Sequence, residues 1–225
     1  MKKITVLLAE DHPIVRVGFR TLLKHERDIE VVGEAVTGRE AVQLTRKLRP
    51  AVVVMDIAMP LLNGLEATRQ IRRDFPDSRV IILSAHSDDA YVQQAVLLGA
   101  TGFLQKQTSS DNLGRAIREV HQGNTFFSDS ISKRLRGSDQ APSDRGGRSK
   151  KTSNHLSSRE TEVLQLIVEA MPNKQVAAEL GLSFKTVDKH RQHIMAKLDI
   201  HDVSGLTRYA ISAGIIESSV QVTIV

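Results

Sequence analysis

Four places in this 225-residue sequence put a polar or charged side chain directly after a short apolar run. "ITVLLAED" ends in Glu10 and Asp11, "AVVVMD" in Asp56, "RVIILSA" reaches Ser84, and "GFLQK" ends in Lys106. Carboxylates gathered at one place repel unless a cation joins them. Three hard oxygen donors with room for water suit Mg²⁺. With a Lys ammonium and a Ser hydroxyl opposite, such a site could receive a phosphoryl group. Asp56 would attack in line, and the metal and Lys106 would offset charge on the phosphoryl oxygens.

These groups share a site only if the runs are parallel strands of one sheet. From residue 4 to about 122, apolar runs alternate with segments of helical period, the pattern of repeated βα units. Strands are expected at 4–9, 29–35, 51–56, 79–85 and 102–106. Helices are expected at about 13–24, 38–48, 63–73, 88–98 and 110–122. Runs this continuously apolar belong to strands buried on both faces, and right-handed crossovers place helices on both sides. In such an open (βα)5 sheet, ligands bind beyond the carboxyl ends of the strands, where strand order reverses.

With 40% hydrophobic and 25% charged residues, composition is ordinary for a globular protein. Cysteine is absent, which excludes disulfides and thiolate chemistry. The apolar run after Lys2-Lys3 is short and ends in Glu10-Asp11, unlike a secretion signal, and no stretch approaches a membrane span. A cytoplasmic protein without membrane contact is expected. Net charge is +5, and the basic excess sits in residues 126–154, with 7 basic and 3 acidic side chains. "SDQAPSDRGGRSKKTSN" within that stretch reads as a flexible basic linker.

Beyond it, four short helices form a small all-α domain. Ser157 and Glu160 have capping-box spacing ahead of Val163, Leu164, Ile167 and Val168. Asn173 is positioned to cap a second helix, which Gly181 stops, and Ser183 a third. The tight "GLS" turn between these two marks a helix-turn-helix. On the third helix, Val187, His190, Ile194 and Leu198 share the core stripe. The opposite face presents Lys185, Asp188, Lys189, Gln192, His193 and Lys197 to a major groove, with Lys185 and Thr186 suited to phosphates. Residues 155–225 carry 7 basic and 8 acidic groups, so a single domain should bind DNA weakly.

Residues 1 to about 122 resemble a response-regulator receiver domain, through Glu10, Asp11, Asp56, Met59, Pro60, Gly64, Ser84, Phe103 and Lys106. The resemblance implies a flavodoxin-like fold and Asp56 as phosphoacceptor. It further implies Mg²⁺ held by Glu10, Asp11, Asp56 and the Ala58 carbonyl, and a partner histidine kinase as phosphoryl donor. Ser84 and Phe103 would be the switch residues, Phe103 turning inward behind Ser84. Gln107 stands where many receivers have Pro.

Residues 155 to about 213 resemble the LuxR-type DNA-binding domain, through "LSSRETEVL", "NKQVAAELGLSFKTVDKHRQHIMAKL" and "LTRYA". Many relatives carry Lys at position 188 and Arg at 203, where this chain has Asp188 and Val203. That family implies pairing on promoter DNA through the last helix, where Gly205, Ala210, Ser212 and Ala213 permit close packing.

The whole chain thus resembles a NarL/FixJ-type response regulator: receiver 1–122, linker 123–154, helix-turn-helix domain 155–216 and an apolar tail 217–225. A homodimer on activation is expected. An alternative is a DNA-binding dimer whose receiver is a phosphorylation-independent interaction module. A haloacid-dehalogenase-type phosphatase is disfavoured, because it needs a second Asp where Ala58 stands, so turnover of an external substrate is not expected.

Overall fold

A computed structural model of the chain describes residues 3–85, 89–127 and 156–216. The expected tail, 217–225, lies outside the described residues, as does most of the expected linker.

The five strands are β1 (Ile4–Ala9), β2 (Ile29–Ala35), β3 (Val52–Asp56), β4 (Arg79–Ser84) and β5 (Gly102–Gln105). They form one parallel sheet in the order β2-β1-β3-β4-β5. The helices between and after them are α1 (Pro13–Lys24), α2 (Gly38–Leu48), α3 (Gly64–Asp74), α4 (Asp89–Leu97) and α5 (Ser109–His121). This is the flavodoxin-like arrangement.

Every residue of β3 is buried, because alternate side chains enter two cores. Val53 and Met55 pack on one side with Leu7, Leu65, Ile71 and Ile82. Val52 and Val54 pack on the other with Phe19, Leu23, Leu113 and Ile117. A continuous apolar run follows directly from that two-sided burial.

The expected linker start at 123 needs correction. Phe126 donates its N–H to the Thr101 carbonyl at 2.9 Å and accepts from the Phe103 N–H at 2.9 Å. Its ring packs against the second core, so the first domain extends past α5 along the β5 edge. An edge strand offers unpaired backbone groups, and the chain after α5 uses them.

The C-terminal domain has α6 (Ser158–Val168), α7 (Asn173–Leu180), α8 (Phe184–Leu198) and α9 (Val203–Ser212). The capping box joins Ser157 and Glu160 as expected. Asn173 is not the cap of α7 but its first residue; Pro172 holds the cap position, its carbonyl accepting from Gln175 and Val176. Gly181 ends α7 at φ +63°, a left-handed position where glycine is unstrained. The Ser183 and Asp202 side chains cap α8 and α9. Val163, Leu164, Ile167, Val176, Val187, Ile194, Leu206 and Ala210 fill the core.

Candidate functional site

The order β2-β1-β3 places the reversal of connectivity between β1 and β3, and the carboxylates stand at that crevice. Glu10 and Asp11 leave β1, and Asp56 ends β3. Glu10 and Asp56 are fully buried, whereas the Asp11 side chain is 29% exposed at the rim. Side-chain ligand atoms of Glu10, Asp11, His12 and Asp56 all lie within 4.8 Å of one another, a grouping fit to hold a metal ion.

Lys106 closes the site from the start of a 3₁₀ turn after β5 (Lys106–Thr108). Its Nζ lies 2.9 Å from Asp56 Oδ2 and 2.9 Å from Glu10 Oε2. Burial alone would depress the ammonium pKa, but the charges of Asp56 and Glu10 outweigh it and hold it above the usual lysine value. A cation therefore bridges both buried carboxylates, which is the charge balance the sequence requires.

Gly64 fixes the far side. A Cβ there would stand 1.8 Å from the Asp56 carbonyl oxygen, and its N–H donates to Ile57 O at 2.9 Å. The close approach of α3 to the end of β3 thus demands glycine. Ser84 is buried at the end of β4, where Leu83 pairs in register with Asp56. Phe103 is 5% exposed and packs within the first core. Ala58 is partly buried in the β3–α3 loop.

Two residues beside this set went unremarked in the sequence. His12 donates its N–H to Glu10 Oε1 at 3.2 Å, and its Nδ1 lies 2.9 Å from Asp11 Oδ1. Arg16 donates to the Glu10 and Asp11 carbonyls at 2.8 and 3.2 Å, tying the acidic turn to α1. Position alone, next to an acidic pair, was their signal.

On α8 the expected groove-facing side chains divide. Lys185, Lys189, Gln192 and His193 are exposed, while Thr186 and Asp188 are half-buried. Thr186 gives its N–H to the Ser183 cap, and Gln192 donates to Asp188 Oδ2 at 3.0 Å. Lys197 instead pairs with Glu160 at 3.1 Å, which commits its charge to the start of α6. His190, expected in the core stripe, is only partly buried beside fully buried Val187 and Ile194.

A two-sided parallel sheet with a Lys106-bridged carboxylate site, joined to a helix-turn-helix domain, defines a two-domain regulator with a DNA-binding output module. Comparison with known proteins agrees. Residues 6–118 match the response regulator receiver domain, and residues 154–210 match the bacterial regulatory proteins of the luxR family. The chain is 36% identical over 214 residues to the transcriptional regulatory protein MctR of Rhizobium johnstonii, covering 95% of this chain and 96% of that one. It is 35% identical to the oxygen regulatory protein NreC of Staphylococcus epidermidis, covering 94% and 99%. Among solved structures, the RcsB response regulator of Salmonella typhimurium matches with a TM-score of 0.62 at 28% identity, over 95% and 99% of the two chains. The chain belongs to the NarL/FixJ-type two-component response regulators.

Proposed function

We propose that a partner histidine kinase phosphorylates Asp56, and that the phosphoryl group controls pairing of the chain and its binding to promoter DNA. The observation that carries this is the Lys106 ammonium lying 2.9 Å from both Asp56 and Glu10 in the crevice. Asp56 attacks phosphorus in line, an acyl phosphate forms, and the P–N bond to the donor imidazole breaks. Lys106, already charged and oriented, turns from carboxylate to phosphoryl oxygen, and the Ser84 hydroxyl donates to another. Glu10, Asp11, Asp56 and the Ala58 carbonyl fit a Mg²⁺ ion. When bound, it supplies neutralisation of the developing phosphoryl charge.

With Ala at position 58, no second Asp serves as an acid for turnover of external phosphoesters. Among the described residues, no helix is long and apolar enough to cross a membrane, which fits a cytoplasmic regulator. RcsB, one of the solved relatives, has been captured on DNA, including as two dimers on two parallel DNAs. The same mode here would use α8 on the groove and α9 for pairing. Incubation of the full chain with a phosphodonor and Mg²⁺ labels wild type and not Asp56→Asn; equal labelling of both removes the reading.

One observation favours the alternative of phosphorylation-independent binding. Lys185, Lys189, Gln192 and His193 are exposed in the chain as it stands, so the receiver does not mask them. Operator affinity that is identical with and without phosphodonor decides for that alternative.

A further inference from the structure

His12 stands between the acidic pair that leaves β1 and the first turn of α1, and the phosphoryl transfer proposed above gives it no part. It holds the cap position of α1, yet its side chain makes no cap hydrogen bond, unlike Thr37, Asn63 and Ser157, whose side chains cap α2, α3 and α6. Pro13 fills the first turn and has no N–H to offer there. The imidazole turns instead toward the carboxylates: Nδ1 lies 3.2 Å from Glu10 Oε1 and 2.9 Å from Asp11 Oδ1. Arg16, bound to the Glu10 and Asp11 carbonyls, steadies the turn that carries all three.

The short approach to Asp11 is not a hydrogen bond. Among the described residues, Asp11 Oδ1 is a buried atom that accepts from no donor, although Nδ1 is 2.9 Å away. The pair is therefore close but misaligned for donor and acceptor. Such placement suits neighbouring ligands of one ion, since an octahedral cation bound at about 2.1 Å keeps adjacent donors about 3.0 Å apart. One ligand atom from each of Glu10, Asp11, His12 and Asp56 lies within 4.8 Å of the others. Lys106 sits on Glu10 Oε2 and Asp56 Oδ2, at 2.9 Å each. The imidazole meets the other Glu10 oxygen and Asp11, so the ammonium and the imidazole do not compete.

We propose that His12 is a metal-site residue that widens the ions this crevice accepts, from Mg²⁺ to divalent first-row transition ions of the Co²⁺ and Ni²⁺ type, by adding a nitrogen donor to an all-oxygen set. This rests on the metal-binding reading of Glu10, Asp11 and Asp56 above. Carboxylates, carbonyls and water suit Mg²⁺, whereas imidazole suits the later ions of the row, whose affinity for a given site rises through Co²⁺ and Ni²⁺. Mg²⁺ keeps oxygen partners and several waters, so the imidazole discriminates between the two classes of ion. With its side chain 57% exposed, His12 lies at the mouth of the crevice, where it meets an entering ion while neither core depends on it.

The test is calorimetric titration of the full chain with MgCl₂ and with NiCl₂. Wild type is compared with His12→Asn, which offers an amide oxygen in place of Nδ1, and with Asp56→Asn, melting curves reporting folding. In His12→Asn, Mg²⁺ affinity is expected to stay within about twofold of wild type while Ni²⁺ affinity falls about tenfold or more, the scale on which changes around a metal site are felt. Proton NMR of the Ni²⁺-loaded wild type is expected to show a hyperfine-shifted imidazole N–H that exchanges in D₂O and is missing from His12→Asn. Unchanged Ni²⁺ affinity in folded His12→Asn, or a wild-type spectrum without that proton, overturns the inference. Ni²⁺ binding that Asp56→Asn leaves untouched puts the ion elsewhere and overturns it too. If His12→Asn does not fold, the wild-type spectrum decides. A wild type that binds Mg²⁺ no better than Asp56→Asn removes the metal-binding reading and the inference with it. Mg²⁺ binding that needs Asp56, without the imidazole proton in the Ni²⁺ form, removes the inference alone.

Discussion

Replacing Lys106 with Met keeps the aliphatic stem and removes the charge that joins Glu10 to Asp56. Both carboxylates are fully buried, and the ammonium contacts them at 2.9 Å each. Removing one partner of a buried ion pair costs about 3–5 kcal/mol, because the other charge is left uncompensated. Here the Lys106 side chain is 17% exposed and Asp11 29%, so water at the rim softens the loss toward the lower end. A loss of about 3 kcal/mol lowers the melting temperature of a domain this size by about 10 °C. Excess Mg²⁺ then stabilises the variant more than wild type, since a cation binding only the folded state restores the missing charge by mass action. Differential scanning calorimetry of both proteins, with and without MgCl₂, measures this. A drop below about 2 °C, or an equal Mg²⁺ increment in both proteins, refutes the argument that Lys106 balances the buried carboxylates.

Arg118 on α5 grips Asp28 at 2.7 and 2.8 Å and also pairs with Glu26, and its hydrogen bonds hold the Asp28 carboxyl down to about 2. A depressed folded pKa means the contribution is full above the ordinary value of 3.8 and is lost as pH falls toward 2. Asp28→Asn therefore flattens the melting-temperature profile across that acid window, with a small effect at neutral pH because the pair is solvent-screened; an unchanged acid profile counts against it. On α8, Lys189→Ala should weaken operator binding about fivefold or more and reduce the salt slope by about 1, whereas Lys197→Ala, its charge committed to Glu160, should leave affinity within about threefold. Fluorescence anisotropy over a salt series separates the two, and equal losses contradict the division of the helix face.

The strand ends were legible because chemistry and periodicity agree there: an apolar run buried on both sides must stop at its polar residue, and parallel order then gathers Glu10, Asp11, Asp56, Ser84 and Lys106. The caps Ser157 and Ser183 are local hydrogen-bond patterns and read equally well. Asn173 misled because Pro172 can end the preceding segment just as firmly with a fixed φ. Phe126 was hidden because edge pairing depends on where the chain returns after α5. The domain boundary was hidden for a similar reason. Glu162, Gln165 and Glu169 form a stripe of helical period on α6, opposite Val163 and Ile167, and such a polar stripe reads as a solvated face. It is covered because the β3–α3 loop, Gln70 of α3 and Arg39 of α2 lie across it, a fact of tertiary placement that no local pattern encodes.

That boundary is lopsided in how it tolerates change. On the receiver side Gln165 and Glu169 read backbone groups of Met59, Leu61 and Asn63, which every non-proline residue supplies. Side chains at 59 and 60 are thus free to drift under other demands while the contact survives. On the opposite side one amide both donates and accepts, so even the nearest acidic replacement breaks it. Grafting this DNA-binding domain onto a different receiver should succeed to the extent that the new loop follows the same path and keeps Leu61 and Asn63, whose side chains also cross the boundary.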